Sequence, residues 1–337
     1  MIIAVDAAGG DYAPHEVVKG AMDAAQEYGI EIALVGRRNV LHVLTKRSMR
    51  KSGITIVEAS QVIDYDESPV KALREKPNST IVVGINLLKS GGASAFISAG
   101  NTGAVFGAAL FILGKSKGVS RPAIGCFLDK ISSFPALLVD AGANVDCRPK
   151  HLVEFARMGS IYSKHILGIE SPRVGLLSNG GEDGKGNRLV RESYRLLKKA
   201  KDINFFGNIE GQDITKRTTD IIVTDGFTGN IVLKTIEGLS EDFLSSARKM
   251  GHVVSSAYRL RGKDFTRDIG LDSLTKKMDY TEFGGACLLG VDGNVIIAHG
   301  RSQAKAIKNA IRLAKETVER HITEIVKEGD YEQASGN

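Results

Sequence analysis

Apolar residues along the chain come in short runs, each closed by small or polar residues, with helical stripes between them. The opening run Ile2-Ile3-Ala4-Val5 ends at Asp6, and the loop Ala7-Ala8-Gly9-Gly10-Asp11 follows. The form recurs at Ile32–Val35, Ile54–Val57, Ala95–Ile97, Ala136–Val139, Arg173–Leu177, Asn204–Phe206 and Ile221–Thr224. Gly284–Val291 and Val295–Ala298 close the series. Apolar runs of this length read as strands buried on both faces. Between the first two, Val17, Val18, Ala21, Ala24, Ala25 and Tyr28 share one helical face. That helix is expected to start at Pro14, to carry Glu16 in its first turn and to stop at Gly29. Ser79 predicts a cap for a helix reaching Lys89, and Pro149 starts one running to about His165. Arg188 to Ala200 reads as a basic helix. Ser302 predicts a cap for a long helix with Ile307, Ile311, Ala314, Val318, Ile322 and Ile325 on one face.

Strands alternating with helices predict the α/β class: a mostly parallel open sheet with helices on both faces. No linker rich in Pro, Gly or Ser divides residues 1–329, which read as a single α/β unit. Asp64–Pro77 is charged and reads as a loop and short helix over the sheet. Phe243–Tyr280 is basic and moderately apolar, and reads as a helical excursion from the core. Residues 330–337 read as a disordered tail.

The chemistry concentrates where strands end. Ala95–Ser98 turns abruptly through Ala99-Gly100-Asn101-Thr102-Gly103 into a Gly/Ala-rich helix. Such a turn leaves unpaired N–H groups at a helix start, and two glycines let an anion approach. Asp225-Gly226-Phe227-Thr228-Gly229-Asn230 repeats the same grammar after Ile221–Thr224. Two strand ends opening onto one crevice produce this pattern in an open α/β sheet. Asp6, Asp140, Asn144, Asn179, Glu182, Asn187, Asn208, Glu210 and His299 also stand at strand ends or in the loops that follow. Asn and Gly are equally ordinary turn residues. Lys185 is the one cation inside the long loop Ser178–Asn187, where it can serve as a point charge for a phosphate or carbonyl oxygen.

Composition narrows the partners. A net charge of +6 and a pI near 9.1 favour an acidic partner, substrate or surface. Aromatics at 6% with no Trp disfavour nucleic acid. The cations gather in two segments, Arg37–Lys51 and Arg248–Arg267, the second mixing them with Val253, Val254, Tyr258, Leu260 and Phe265. An anionic membrane surface, an acidic protein or plain solvation would each suit such segments. Three cysteines make no disulfide framework, and no apolar run is long enough to span a membrane. Met1–Asp6 reads as a strand and not as a signal peptide, consistent with a cytoplasmic chain. There is no Gly-x-Ser-x-Gly elbow, no P-loop, no dinucleotide fingerprint and no paired metal-ligand motif.

Several motifs together resemble the bacterial phosphate acyltransferase family. They are Ala4–Asp11, Ile97–Ala104, Arg121–Ile124, Asp140–Asn144, Lys185-Gly186-Asn187, Gly207–Gly211 and Asp225–Asn230, in the family's order from Met1 to about Ala310. Ala8 stands where the family carries methionine, and Leu177-Ser178-Asn179 is a more polar entry to its loop. The resemblance implies transfer of a fatty acyl group from acyl-acyl carrier protein to inorganic phosphate, giving acyl phosphate for phospholipid synthesis. It implies a fold similar to the isocitrate and isopropylmalate dehydrogenases and the phosphotransacetylases. It also implies a homodimer, peripheral association with the membrane, a downstream acylglycerol-phosphate acyltransferase there as partner, and no cofactor or metal. On this reading Lys185 or Asn230 supplies the oxyanion donor. Asn101, Thr102, Gly103, Asp140, Asn144, Asn187, Asp225 and Gly229 form the phosphate and substrate site. A dehydrogenase on the same sheet and a non-catalytic carrier adaptor are the rivals. The missing dinucleotide fingerprint speaks against the first, and the retained Lys185 loop and paired turns against the second.

Overall fold

The computed structural model describes residues 1–45, 53–128, 135–216, 218–258 and 284–328. In chain order the elements are β1 (Ile2–Asp6), α1 (His15–Tyr28), β2 (Glu31–Gly36), α2 (Arg38–Thr45), β3 (Ile54–Glu58), α3 (Pro69–Glu75), α4 (Thr80–Lys89) and β4 (Ala95–Ser98). Then come α5 (Thr102–Ala108), running straight into a π-helical turn (Ala109–Leu113), β5 (Ala123–Leu128), β6 (Ala136–Val139), α6 (Pro149–Leu167), β7 (Val174–Leu177) and α7 (Arg188–Lys199). β8 (Phe205–Ile209), β9 (Ile221–Val223), α8 (Gly226–Tyr258), β10 (Ala286–Leu289), β11 (Asn294–Ile297), α9 (Ala304–Glu319) and α10 (Ile322–Glu328) complete the chain.

The strands form one sheet of eleven in the order β3-β2-β1-β4-β11-β10-β5-β6-β9-β7-β8. Seven pairings are parallel. The three antiparallel ones sit together in the middle, β11–β10, β10–β5 and β5–β6. Three reversals have one geometric consequence: the β3-β2-β1-β4-β11 half points opposite to the β6-β9-β7-β8 half. The two sets of strand ends therefore face each other's side of the molecule. The central β10 and β5 lie where the halves overlap, with Ala286 opposite both Ile297 and Cys126.

Both faces are covered. On one, Ile3, Val5, Ile97, Leu137 and Ile296 pack with Val17 of α1, Phe155 of α6 and Ile307 of α9. On the other, Ala4, Phe96, Ile124, Leu138 and Ala286 pack with Ile81 of α4, Val105 of α5 and, from α8, Leu233 and Ile236. Successive strand residues alternate between the two cores, as the period of two requires.

Some boundaries depart from the sequence reading. Ser302 does not cap α9; the α9 amide of Ala304 donates to Glu16 Oε2 at 2.9 Å, so α1 supplies the cap from the other end of the chain. The long terminal helix breaks at His321, whose φ is 52°, into α9 and α10. β5, placed after Pro122 and left out of the predicted strands, is a full central strand. The helix that opens at Gly226 passes Gly238 and Phe243 without interruption, so the expected excursion begins as a continuation of α8. Its remainder, with Arg259, Arg261, Lys263 and Phe265, lies outside the described residues, as do Lys46 to Lys51 and residues 330–337.

Candidate active site

The first turn hangs from β4. Asn101 caps α5: its Oδ1 accepts from the Ala104 amide at 3.0 Å. Its Nδ2 donates to the carbonyls of Asp64, Tyr65 and Glu67 at 3.1, 3.3 and 3.3 Å. Asn101 is thus fully engaged in holding the 64–67 loop over the helix start. The Gly100 amide donates to Ser98 Oγ at 3.0 Å, and that hydroxyl donates to the buried Asp6 carboxylate at 2.7 Å. Burial pushes the Asp6 carboxyl up, against the lowering effect of its hydrogen bonds from Ser98 and Thr80. What remains open is Thr102 and Gly103. Both are exposed, their amides belong to the first helical turn, and the Thr102 hydroxyl has no partner among the described residues. Gly103 is there for packing as well: a Cβ would meet Pro69 Cγ at 2.7 Å, so α3 rests directly on it.

The second turn is built differently. Asp225 caps α8, with Oδ1 accepting from the Thr228 amide and Oδ2 from the Thr228 hydroxyl, each at 2.9 Å. Behind it, Asp140 is fully buried and accepts amides from Ile124, Gly142, Ala143 and Asn144 at 2.7–3.1 Å. Asn144 Nδ2 donates to Asp140 Oδ2 and to the Pro122 carbonyl, each at 2.8 Å. Burial pushes the Asp140 carboxyl up and these donors pull it back. The Gly226 amide donates to the Asn144 carbonyl at 2.8 Å. A Cβ on Gly229 would lie 1.9 Å from the Asp140 carbonyl oxygen, so α8 can approach this loop only with glycine there. Asp140, Asn144 and Gly229 therefore hold α8 in place. Asn230, one residue on, is exposed, lies against Gly142, and its carboxamide has no partner among the described residues.

The third group is the loop between β7 and α7. Asn187 caps α7 through the Val190 amide at 2.9 Å. Asn208 Nδ2 holds the Glu182 carbonyl at 2.8 Å, whereas Asn208 Oδ1 and Ser178 Oγ are buried with no partner among the described residues. Lys185 is exposed and its ammonium makes no contact with another described group. It shares the sheet end with Asp140 and Asp225, because β6, β9, β7 and β8 run parallel. It does not line the cavity described next.

A cavity of about 540 Å³ lies between the two halves. Gly100 and Thr102 of the first turn and Ala141 and Asn230 of the second line it together. The sequence reading of two turns opening on one crevice is realised in this cavity, for Thr102 and Asn230. Lys234 is its one Lys or Arg side chain among the described residues. Lys234 Nζ sits 2.7 Å from Glu237 Oε2 and 3.3 Å from His299 Nε2, and His299 Nε2 is 3.3 Å from the same carboxylate. The His299 Nδ1 accepts from the Arg301 amide at 3.2 Å, which leaves the ring proton on Nε2 facing Glu237. Burial opposes ionisation of Glu237, but hydrogen bonds from His299 and Lys234 outweigh it and hold its carboxyl below the usual range. Lys234 and Glu237 were missed from sequence. The signal was available, since Lys234 stands four residues after Asn230 and so shares its helical face. Cys126 also lines the cavity, but burial pushes its thiol up to about 12, which removes it as a nucleophile.

No helix among the described residues is long and apolar enough to cross a membrane. No group of three or more His, Cys, Asp or Glu side chains among them could hold a metal.

Fold and cavity define a class. The phosphotransacetylase of Streptococcus pyogenes superposes with a TM-score of 0.60 at 18% identity, covering 96% of this chain and 94% of that one. The 4-hydroxythreonine-4-phosphate dehydrogenase of Klebsiella pneumoniae superposes at 0.54 and 12% identity, covering 96% and 99%. The shared architecture is an open, mostly parallel α/β sheet with helices on its faces. Within it, the chain belongs to the family described as fatty acid synthesis protein, which matches residues 1–325. The phosphate acyltransferase of Dehalococcoides mccartyi is 56% identical over 97% of this chain and 94% of its own length. That of Dictyoglomus thermophilum is 46% identical over 98% and 97%.

Proposed function

We propose that this chain is a phosphate acyltransferase that moves a fatty acyl group from acyl-acyl carrier protein to inorganic phosphate, releasing acyl phosphate for phospholipid synthesis. The observation that carries the reading is that Thr102 and Asn230, each with a polar side chain unpartnered among the described residues, line one cavity. The family membership and the names of the relatives support it.

Phosphate binds at the start of α5, where the Thr102 and Gly103 amides and the Thr102 hydroxyl face outward. The helix continues through the π-turn to Leu113, so its dipole is that of three turns and not of two. A phosphate oxygen attacks the thioester carbonyl carbon, and the carbonyl oxygen becomes an oxyanion. Asn230 donates to it from the cavity wall, or Lys185 reaches it from the neighbouring loop as the carrier docks. The tetrahedral intermediate collapses, the C–S bond breaks, and the electron pair leaves on the carrier's thiolate. No enzyme nucleophile takes part. Holding phosphate and thioester in line does most of the work. Asn101, Asp140, Asn144, Asn187, Asp225 and Gly229 act by holding these groups in position.

The wider setting follows from the same reading: a cytoplasmic homodimer of single α/β units, resting on the membrane surface and passing its product to an acylglycerol-phosphate acyltransferase. The excess of cations supports an acidic carrier or an anionic surface as partner.

The test is loss of acyl-carrier thioester by purified protein, followed with and without inorganic phosphate. Phosphate-dependent loss with acyl phosphate as product is expected. Thioester that survives phosphate, or is lost equally without it, overturns the reading.

A further inference from the structure

A fatty acyl chain is long and apolar, and it must leave water when its thioester meets phosphate. The second described cavity is walled by Arg37, Arg38, Asn39, His42, Glu58 and Ser60, all charged or polar residues. The cavity between the halves offers apolar surface. β5 presents Ile124, Cys126 and Leu128, every second residue, to it, and α8 presents Leu233 and Ile236 opposite. Ala286 of β10 forms the floor between them, with Gly285 beside it. The groove has a direction. Ile124 stands at its inner end, bonded through its amide to Asp140 and near Asn230. Leu128 and Leu239 stand at its outer end, where the sheet register also brings the β4 turn with Gly100 and Thr102. Ile124 to Leu128 is four strand residues, about 13 Å, and Asn230 to Ser240 is ten helical residues, about 15 Å, so strand and helix give one length. Lys234, Glu237 and His299, which also line the cavity, satisfy one another. Leu239 is 64% exposed and Ile231 51%, so the α8 wall carries apolar surface beyond what the core needs.

We infer that this groove between β5 and α8 is the acyl-chain site, with the chain lying along β5 between Ile124 and Leu128 and against Leu233 and Ile236 of α8. The inference rests on the proposed function for the nature of the chain, and on the cavity for its place. A volume of about 540 Å³ suits one such chain and lies within the ordinary range for small-ligand cavities. Chain length is then read by the outer half of the groove, where each methylene that loses its wall loses about fourfold in affinity.

Two variants test it. Ile236→Trp fills the outer half from a half-buried position, and Leu239→Trp narrows the exit from an exposed one that the core does not use. The readout is the ratio of kcat/KM for 16-carbon over 4-carbon acyl-acyl carrier protein. Ile236→Trp is expected to lower that ratio at least fiftyfold, and Leu239→Trp several-fold. A ratio equal to wild type in both variants overturns the inference. Binding of a fluorescent 18-carbon polyene fatty acid, measured in parallel on the same proteins, separates the two claims. Wild type that binds it and Ile236→Trp that does not keep the groove, even if no phosphate-dependent thioester loss is found and the proposed function falls. Equal binding by both proteins, or none by wild type, removes the groove whatever the activity.

Discussion

The two strand-to-helix turns look alike in sequence and differ in charge. The β4–α5 turn is capped by Asn101, a neutral amide, and leaves Thr102 and Gly103 facing outward. The β9–α8 turn is capped by Asp225, whose carboxylate already sits on the helix start. A helix N-terminus attracts one anion well. At α8 the protein supplies that anion itself, and at α5 it does not. The same Gly–Thr–Gly grammar thus yields an open, uncharged helix start in one half and a closed structural joint in the other. The difference teaches that a phosphate-binding pattern must be judged by what its cap carries.

Five substitutions press on that contrast. Asp140→Ala should do the most damage, because it orphans buried amides of Ile124, Gly142, Ala143 and Asn144 behind the closed joint. A buried donor left unpaired costs about 1–3 kcal/mol, so a loss of at least about 3 kcal/mol in unfolding free energy is expected, read as a lowered urea midpoint. A midpoint near wild type would mean that the joint is not structural. Asn230→Ala should leave the midpoint alone and lower turnover by about 10²–10³, the effect of losing one oxyanion donor. Lys185→Ala measured beside it ranks the two, and whichever loses more turnover is the donor. Thr102→Val should raise the phosphate KM about tenfold with little change in kcat at saturating phosphate, as for one hydrogen bond to a charged group. Asp225→Asn keeps the cap and removes only its charge, so about 0.3–1 kcal/mol of stability should be lost and the phosphate KM should hold. A phosphate KM that moves as far in Asp225→Asn as in Thr102→Val would make the turns equivalent and undo the contrast.

Much of this was readable from the chain. Runs such as Ile2–Val5 and Ala136–Val139 are apolar throughout because both sheet faces are covered, and that pattern survives any tertiary context. The same uniformity hides direction. A strand buried on both faces carries no mark of which way it runs, so the reversal at β10 and β5 was invisible, and Pro122 made β5 look like loop. Asn101 and Asp140 stood out correctly as unusual polar residues at strand ends. Their amide and carboxylate satisfy backbone groups as readily as ligands, and only the hydrogen-bond partners distinguish the two uses. Gly103 was read as room for an anion, yet Pro69 already rests on it, a contact set by the packing of α3 on α5. For that reason Thr102, and not Gly103, is the residue to change. Glu16 capping α9 joins residues 288 positions apart, which no local rule can reach.

The order of strands in the sheet also sets a timetable. β4 is finished by Ser98, but the neighbour that completes it is β11, and Asn294 reaches back to the Ser94 carbonyl across 200 residues. β10, which ties β11 to β5, is equally late in the chain. At ribosomal rates of about 5–20 residues per second, the inner edge of the first half waits about 10–40 s for its partner. Through that interval Ala95-Phe96-Ile97 is an apolar strand with an unpaired edge, the kind of surface that recruits other chains. A nascent chain of this protein therefore needs its exposed edge guarded until residues 286–297 emerge, and a copy truncated before them would keep that edge bare for its lifetime.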